Sequence, residues 1–490
     1  MKRIITIITM LFILSGCDNF GDTNISPAKL TSASTRSLLT NSIQSINDLV
    51  LGNTAASRLA ALYVQHLSEG PYPGSSLYSD RNLTFSAWYA GSGTVTPPSN
   101  LNGPLYNLET IINYNNDGNA ATNGNGSKSN QIAVARILKA YFYLLMTDKW
   151  GDIPYTAALK GSEDYTPAYD KQQDIYNALF KELTEASAQI KEDESAVAGD
   201  VLLNGNMAAW KRFANTQRLI MALRLSKVDP AKGKTEFAAA MAAGPISSNS
   251  QNINYTFVAG DPNNYNPWYN NYSVSNRNDY AISTTLTGYM EPKADPRLSV
   301  YAETLAGNAI KGLPYGRNTA VNIPAAYSRI GTAFRSQGSK LSIYNYAQVL
   351  FCMAEAAKIG YISGGDAEAE KYYNQAIKAS WEQYGVYDQA KYDAYIALAD
   401  VKYSPATAVK QIITEKWVHA YLNSWEAWND WRRTGFPTLS PAQDAVDSRG
   451  IPFRLGYPTN ESALNGENYK AAVAALGGTD DNYAKMWWAK

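Results

Sequence analysis

Histidine is nearly missing from this chain, with two in 490 residues. A histidine-based metal centre is therefore not the first thing to look for. Cysteine is equally scarce at two, which excludes a disulfide scaffold, and a chain of this length buries a large core without one. There is no excess of either charge: 43 Lys+Arg stand against 43 Asp+Glu. With no basic surplus to neutralise phosphates, the simplest nucleic-acid role falls away. Long hydrophobic runs are missing too, apart from Ile4 to Leu14, which is shorter than the roughly 20 residues of a spanning helix. Hydrophobic content of 45% and a mean hydropathy of −0.32 exclude a multi-span membrane protein and wholesale disorder. Phenylalanine, finally, numbers only 12, beside 35 Tyr and 11 Trp. A core alone does not favour the hydroxylated ring so heavily, whereas amphipathic surfaces that meet polar ligands or partners do.

The apolar run at the start reads as an address. Lys2 and Arg3 supply a positive flank, and the run ends in Leu14-Ser15-Gly16-Cys17, small residues directly before a cysteine. This pattern resembles a bacterial lipobox, in which residues 1–17 carry the signal and Cys17 becomes the acylated first residue of the mature protein. Several acyl chains, at about 0.8 kcal/mol per buried CH₂, anchor such a protein stably. Residues 18–28 then read as a polar tether and 29–490 as a single helical domain. Cys352, within Val349-Leu350-Phe351-Cys352-Met353-Ala354, reads as a small buried apolar residue.

Beyond the tether, apolar residues recur at three- and four-residue spacing over segments 30–50, 53–67, 129–147, 172–192, 206–227, 340–360, 366–383 and 404–433. Ile132, Ile137, Leu138, Tyr141, Leu144 and Leu145 show the pattern, with Arg136 and Lys139 set apart from most of the stripe. One pair has repeat character: Ala357, then Ala369, Tyr373 and Ala376 follow tetratricopeptide spacing across a Gly364-Gly365 turn. Degenerate units are expected at 129–192 and 206–243. Between the helices lie long loops, 70–104, 113–128, 244–278 and 305–338, and loops of that length are usually functional or disordered. The Asn- and Gly-rich 113–128 stretch reads as a mobile excursion.

Catalytic constellations are harder to find. No Ser-centred elbow, Walker loop, dinucleotide fingerprint or His-Glu-x-x-His motif is present. Asp148 and Asp152, or Glu291 and Asp295, offer carboxylate pairs for a glycosidase. Gly151-Asp152-Ile153-Pro154, however, has the chemistry of a turn after a helix. His66 and His419 read as packing histidines. Asn115-Asn116-Asp117-Gly118 lacks the Glu that closes a calcium loop. No cofactor and no metal is implied.

The loops 70–104 and 244–278 carry a density of aromatics that a disordered linker does not hold. Sugars and similar ligands present apolar C–H faces that stack on Tyr and Trp, while Asn, Asp and Arg bind their hydroxyls. The ligand-binding candidates are accordingly Tyr72, Tyr78, Trp88, Tyr89, Tyr265, Trp268, Tyr269, Tyr272 and Arg277. The competing reading is that these rings pack the loops onto the helices.

Several further stretches, taken in order, resemble the SusD/RagB family of nutrient-binding outer-membrane lipoproteins. They are Thr147-Asp148-Lys149-Trp150-Gly151-Asp152-Ile153-Pro154-Tyr155, then Pro167-Ala168-Tyr169-Asp170, Trp210-Lys211-Arg212-Phe213-Ala214-Asn215, and Trp425-Glu426-Ala427-Trp428-Asn429-Asp430-Trp431-Arg432-Arg433. Ile451-Pro452-Phe453-Arg454 and Trp487-Trp488 complete the set. The chain departs from the family where Asn-Ser-Leu-Arg becomes Asn215-Thr216-Gln217-Arg218 and Trp-Trp-Asp-Lys becomes Trp487-Trp488-Ala489-Lys490. The resemblance implies an all-α fold, a superhelix of tetratricopeptide-like pairs with long ligand-binding loops. It implies a lipid-anchored protein on the cell surface, acting as a lid on a SusC-like TonB-dependent transporter. It implies capture of an oligosaccharide, or else of a peptide, without catalysis. The alternatives are the carboxylate-pair enzyme and a helical scaffold that binds no small ligand.

Overall fold

The stripe that includes Ile137, Leu138, Tyr141 and Leu145 demands partners on more than one side, and the fold supplies them. In the computed structural model, which describes residues 33–52, 55–80, 82–83, 85–90, 103–323 and 326–490, Thr35–Lys490 forms one compact unit. Its helices of eight or more residues are α1 (Thr35–Ile46), α2 (Ala55–Tyr63), α3 (Pro104–Asn116), α4 (Lys128–Trp150), α5 (Gln172–Gln189), α6 (Met207–Arg224) and α7 (Pro230–Ala242). There follow α8 (Tyr346–Lys358), α9 (Gly365–Gln383), α10 (Gln389–Ile396), α11 (Ala408–His419), α12 (Ser424–Thr434) and α13 (Gly466–Ala475). Strands are short and pair two by two, all antiparallel: β1 (Leu67–Glu69) with β5 (Tyr280–Ile282), β2 (Ile153–Pro154) with β3 (Tyr169–Asp170), and β4 (Ile253–Thr256) with β6 (Lys340–Tyr344). The all-α class is as expected; these small sheets only pin loops.

Helices pack in sequence: α3 lies on α1 and α4, α4 on α5, α5 on α6, α6 on α7, and α8 on α9 and α11. Polar side chains start several of them. Ser127 accepts from Asn130 N at 3.2 Å to cap α4, Asn206 from Ala209 N at 2.9 Å for α6, and Asn345 from Gln348 N at 2.8 Å for α8. From Ala133 onward α4 is buried all round except at Arg136 and Lys139. Those two reach the surface, Arg136 to Glu182 and Glu185 and Lys139 to Glu109. The α8–α9 pair is the tetratricopeptide-like hairpin that the spacing predicts. Ala357, Ala369, Tyr373 and Ala376 are fully buried, and Gly364 and Gly365 turn the chain with φ of 108° and 56°.

Three expectations need correction. The 404–433 segment is two helices, because Leu422 takes a left-handed φ of 62° between α11 and α12. Segment 113–128 is held in place: α3 runs through Asn116, and Asn125 Nδ2 donates to Ala121 O at 2.9 Å. Gln131 Nε2 also reaches back to Gly126 O at 2.8 Å. Side-chain amides that suggested mobility supply the hydrogen bonds that order it. The third concerns α3, which lies between segments read as loop; Pro104 at its first turn is its start signal.

The motif helix α12 is almost wholly buried despite its charges. Glu426 accepts from Arg224 at 2.5 Å, Arg433 pairs with Glu355 at 2.5 and 2.8 Å, and Lys416 with Asp430 at 2.7 Å. Arg432 lies over the Trp428 ring at 3.6 Å. Asp148 closes the set, accepting from Arg224, from Tyr176 Oη at 2.6 Å and from Trp488 Nε1 at 3.0 Å. The 147–155, 425–433 and 487–488 stretches thus meet in one buried polar core, where Asp148, Glu426, Asp430 and Glu355 are each paired with a cation.

Candidate functional site

Asn266-Pro267-Trp268 is a helix start in miniature. The Asn266 side chain accepts from Trp268 N at 2.8 Å and Tyr269 N at 3.3 Å, Pro267 fits the first turn, and a single turn, Pro267–Tyr269, runs on into Asn270–Val274. The chain then bends through Asn276 and Asn278, both with φ of 50°, and returns into β5. This bend delivers Asn270, Asn271, Ser275, Arg277 and Asp279 to one wall of a cavity of about 380 Å³. Tyr280 and Arg58 complete it, the Arg58 guanidinium lying 5.8 Å from the Tyr280 ring centre.

Its lining is polar and organised. Arg277 Nε donates to Asp279 Oδ2 at 2.8 Å, and Asn271 Nδ2 donates to the same oxygen at 2.7 Å. The other oxygen, Asp279 Oδ1, is buried and accepts no hydrogen bond. A buried carboxylate oxygen without a donor is costly to leave so and favours a ligand that brings one. Beside it stands Tyr72, 68% exposed, its ring centre 5.5 Å from the Arg277 guanidinium. One exposed ring, one cation held beside it and one unfilled acceptor make a site suited to a polyhydroxylated ring.

The candidates divide sharply. Tyr72 and Arg277 come together here. Tyr265 and Tyr269 are half-buried and meet edge to face at 5.4 Å, Tyr269 directly preceding the cavity residue Asn270. Trp268 and Tyr272 are corrected from ligand platforms to supports, being 2% and 3% exposed. Trp268 packs perpendicular to Tyr280 at 5.5 Å, and Tyr272 Oη donates to Tyr280 O at 2.7 Å, so both hold the cavity wall from behind. Trp268→Ala is therefore a cavity-forming change in the core and no test of ligand contact. Trp88 and Tyr78 are corrected as well. Trp88 is fully buried, with Phe142 at 5.9 Å and the Lys149 ammonium 4.4 Å from its ring centre, so its faces are taken. Tyr78 is 1% exposed and its Oη accepts from Ala442 N at 2.8 Å. Tyr89 is half-buried, donates to Pro154 O at 2.5 Å and lines a different cavity. Ring chemistry alone does not distinguish a stacking platform from a packing one. Arg58, Ser275, Asp279 and Tyr280 escaped sequence reasoning; only the nearness of Asp279 to Arg277 hinted at it.

The carboxylates offered for catalysis are committed elsewhere. Asp148 is 2% exposed in the buried polar core, while Asp152 Oδ1 accepts from Gln172 N at 2.8 Å at the start of α5. Asp295 is bound by Arg297 at 2.6 Å, and Glu291 is exposed. Cys17 lies outside the described residues. Cys352 is fully buried, its thiol pushed up to about 11 by burial.

Glu69 lies behind the cavity, on β1 opposite Tyr280. Burial raises its carboxyl to about 7, against the pull of the Ser76 N–H at 2.8 Å and of Arg58 at 3.8 Å. A carboxyl raised in the folded state stabilises the fold most below its unfolded value near 4.5, and that contribution is lost as pH rises through 7. Glu69→Gln keeps an acceptor for Ser76 and removes the charge. It is expected to raise stability by about 2–3 kcal/mol at pH 8 and to change it little at pH 4. Denaturant titrations at the two pH values check this; equal effects at both would reject it.

Residues 27–458 match the model of the SusD-like family described as starch-binding, associating with the outer membrane. Among solved structures the chain is similar to a chitin-binding protein, at 28% identity with a TM-score of 0.74, over 93% of this chain and 100% of that one. A chitin-binding SusD homolog from Flavobacterium johnsoniae is 25% identical with a TM-score of 0.73, covering 93% and 98%. A SusD homolog from Bacteroides uniformis is 26% identical with a TM-score of 0.72, covering 93% and 99%. No functionally curated protein matches the sequence.

Proposed function

The chain belongs to the SusD-like family of outer-membrane-associated binding proteins, and from that premise we propose that it captures an oligosaccharide at the cavity beside Tyr72 and Arg277. Members of this family are binding proteins rather than enzymes. The carrying observation is Asp279 Oδ1, a buried acceptor with no donor, set in a polar wall next to an exposed aromatic face. A pyranose stacked on Tyr72 presents equatorial hydroxyls sideways, and the first of these donates to Asp279. The Arg277 guanidinium and the Asn270 amide serve the remaining oxygens. The starch and chitin named for relatives are chains of such rings, which makes their oligomers the probes of choice.

In this reading Cys17 carries the lipid, residues 18–28 let the binding unit stand off the membrane, and the cargo passes to a SusC-like TonB-dependent transporter without cleavage. No helix among the described residues is long and apolar enough to cross a membrane. Few ligand contacts and a wet, polar cavity give modest affinity, micromolar or weaker, and a cargo that must be handed on needs no more.

Calorimetry with maltoheptaose and chitohexaose tests the site. Tyr72→Ala and Arg277→Ala are each expected to weaken binding about tenfold, the worth of one stacking contact or one charge-assisted hydrogen bond. Tyr72 is exposed, so Tyr72→Ala leaves thermal unfolding unchanged, whereas Arg277→Ala also takes the cation from buried Asp279 and its binding loss is read beside its unfolding temperature. Sugar binding that ignores both substitutions would remove the site assignment.

A further inference from the structure

A second cavity, of about 450 Å³, opens where the loop after β2 meets the short helices Ser86–Tyr89 and Glu461–Leu464. It shares no lining residue with the Asp279 cavity. Its lining is more apolar, with a few carboxylate oxygens among the rings. Large apolar side chains left exposed gather around it: Tyr165 at 79%, Leu464 at 65% and Tyr106 at 37%. Scattered exposed apolar residues need no explanation, but three around one concavity do. Among its lining residues stand two carboxylates and no cation. Glu461 Oε2 accepts from Tyr169 Oη at 2.5 Å and Asp164 Oδ1 from Thr166 N at 3.0 Å, which leaves Glu461 Oε1 and Asp164 Oδ2 as acceptors.

The walls are fixed. Tyr89 Oη holds Pro154 O at 2.5 Å, and Asn465 Nδ2 holds Pro167 O at 2.8 Å. Tyr169, which positions Glu461, is itself stacked on Tyr457 at 5.3 Å. A cleft that keeps its shape without a ligand loses little entropy on filling.

We infer that this cavity is a second saccharide-binding site, in which a pyranose ring lies against Tyr165 and Tyr106 and donates hydroxyls to Glu461 and Asp164. Two such sites on one rigid unit let a long glycan engage twice, so that the second contact is intramolecular and raises overall avidity. Short sugars gain nothing from the pair.

Calorimetry on the whole chain carrying Tyr72→Ala reads the second site with the first one blunted. Chitohexaose and maltoheptaose are the probes. The expected result is residual binding that falls at least fivefold when Tyr165→Ala is added, with thermal unfolding unchanged because Tyr165 is exposed. Residual binding indifferent to Tyr165→Ala overturns the second site and leaves the first standing. Complete loss of binding on Tyr72→Ala alone does the same. Wild-type chain that binds neither sugar overturns both sites together. Tetramethylammonium binding that depends on Tyr165, with no sugar binding there, reassigns the cavity to cationic ligands and overturns the saccharide inference.

Discussion

Acidification below about pH 6.5 is expected to drain stability through His66 and His419, at about 1.4 kcal/mol per pH unit for each. Both imidazoles are buried and both are lowered to about 3, chiefly by burial. Their surroundings fix the neutral form. His66 Nε2 faces the Trp417 carbonyl at 2.8 Å and so carries the proton, while Nδ1 accepts from Ser424 Oγ at 2.9 Å. His419 repeats the arrangement, with Nε2 2.6 Å from Asn345 Oδ1 and Nδ1 2.9 Å from Ser380 Oγ. Asn345 Oδ1 is identified as the acceptor because it also accepts the Gln348 N–H. A second proton on either ring would turn the serine hydroxyl from donor to acceptor and bury a cation with no carboxylate beside it. The unfolded chain takes up that proton near pH 6.5 and the folded chain does not until about pH 3. The stability is thus fully present above pH 6.5 and is lost as pH falls. Glu69 works in the opposite sense between pH 7 and 4.5, so the histidines are best read directly. With only two in the chain, their ring proton resonances are few, and neither is expected to titrate between pH 7.5 and 5. A histidine signal that shifts with a midpoint near 6 would show that ring to be open to protonation in the fold.

The other large effect comes from Arg224, 2% exposed between Asp148 and Glu426. Arg224→Met is expected to cost about 3–5 kcal/mol, because it leaves two carboxylates buried with their cation gone. Asp148 retains the donors Tyr176 and Trp488, but Glu426 keeps only the Gln348 amide at 3.4 Å. Adding Asp148→Asn and Glu426→Gln to Arg224→Met removes the stranded charges and is expected to recover much of the loss. Denaturant midpoints on the single and triple variants measure both. A cost below about 1 kcal/mol for the single change would mean that water enters the cluster and the charges are not confined.

These two effects trace to residues whose position in the sequence is plain and whose surroundings are not. Helical periodicity locates α4, α5, α6, α8 and α9 closely, since one repeating stripe reports one buried face. It also places α12 within 404–433, but says nothing of how Glu426, Asp430 and Arg433 are paired across the core with α6, α8 and α11. Charge is silent about its partner until the fold brings the two together. The binding candidates divide for the same reason. Tyr72 and Arg277 were legible as a ring and a cation in long loops. Trp88 and Trp268, with identical credentials, are buried, because a tryptophan serves a core as well as a ligand. Asp279 escaped notice because its meaning lies in an absence, one oxygen with nothing to accept.

The polar core joins distant parts of the chain. His66 reaches Trp417, Gln65 reaches Ser440, and Asp148 is bonded by Trp488, across separations of 351, 375 and 340 residues. Contacts this far apart form late, after most of the loop-closure entropy has been met. A chain made only as far as residue 400 already contains Asp148, Arg224 and Glu355, yet lacks Glu426, Asn429 and Arg433 to neutralise and enclose them. Such a fragment displays unmatched charge on surfaces meant to be sealed. The assembly of the core therefore acts as a test of completeness, passed only by a polypeptide that carries its distal helices, and shorter products stay open to proteolysis.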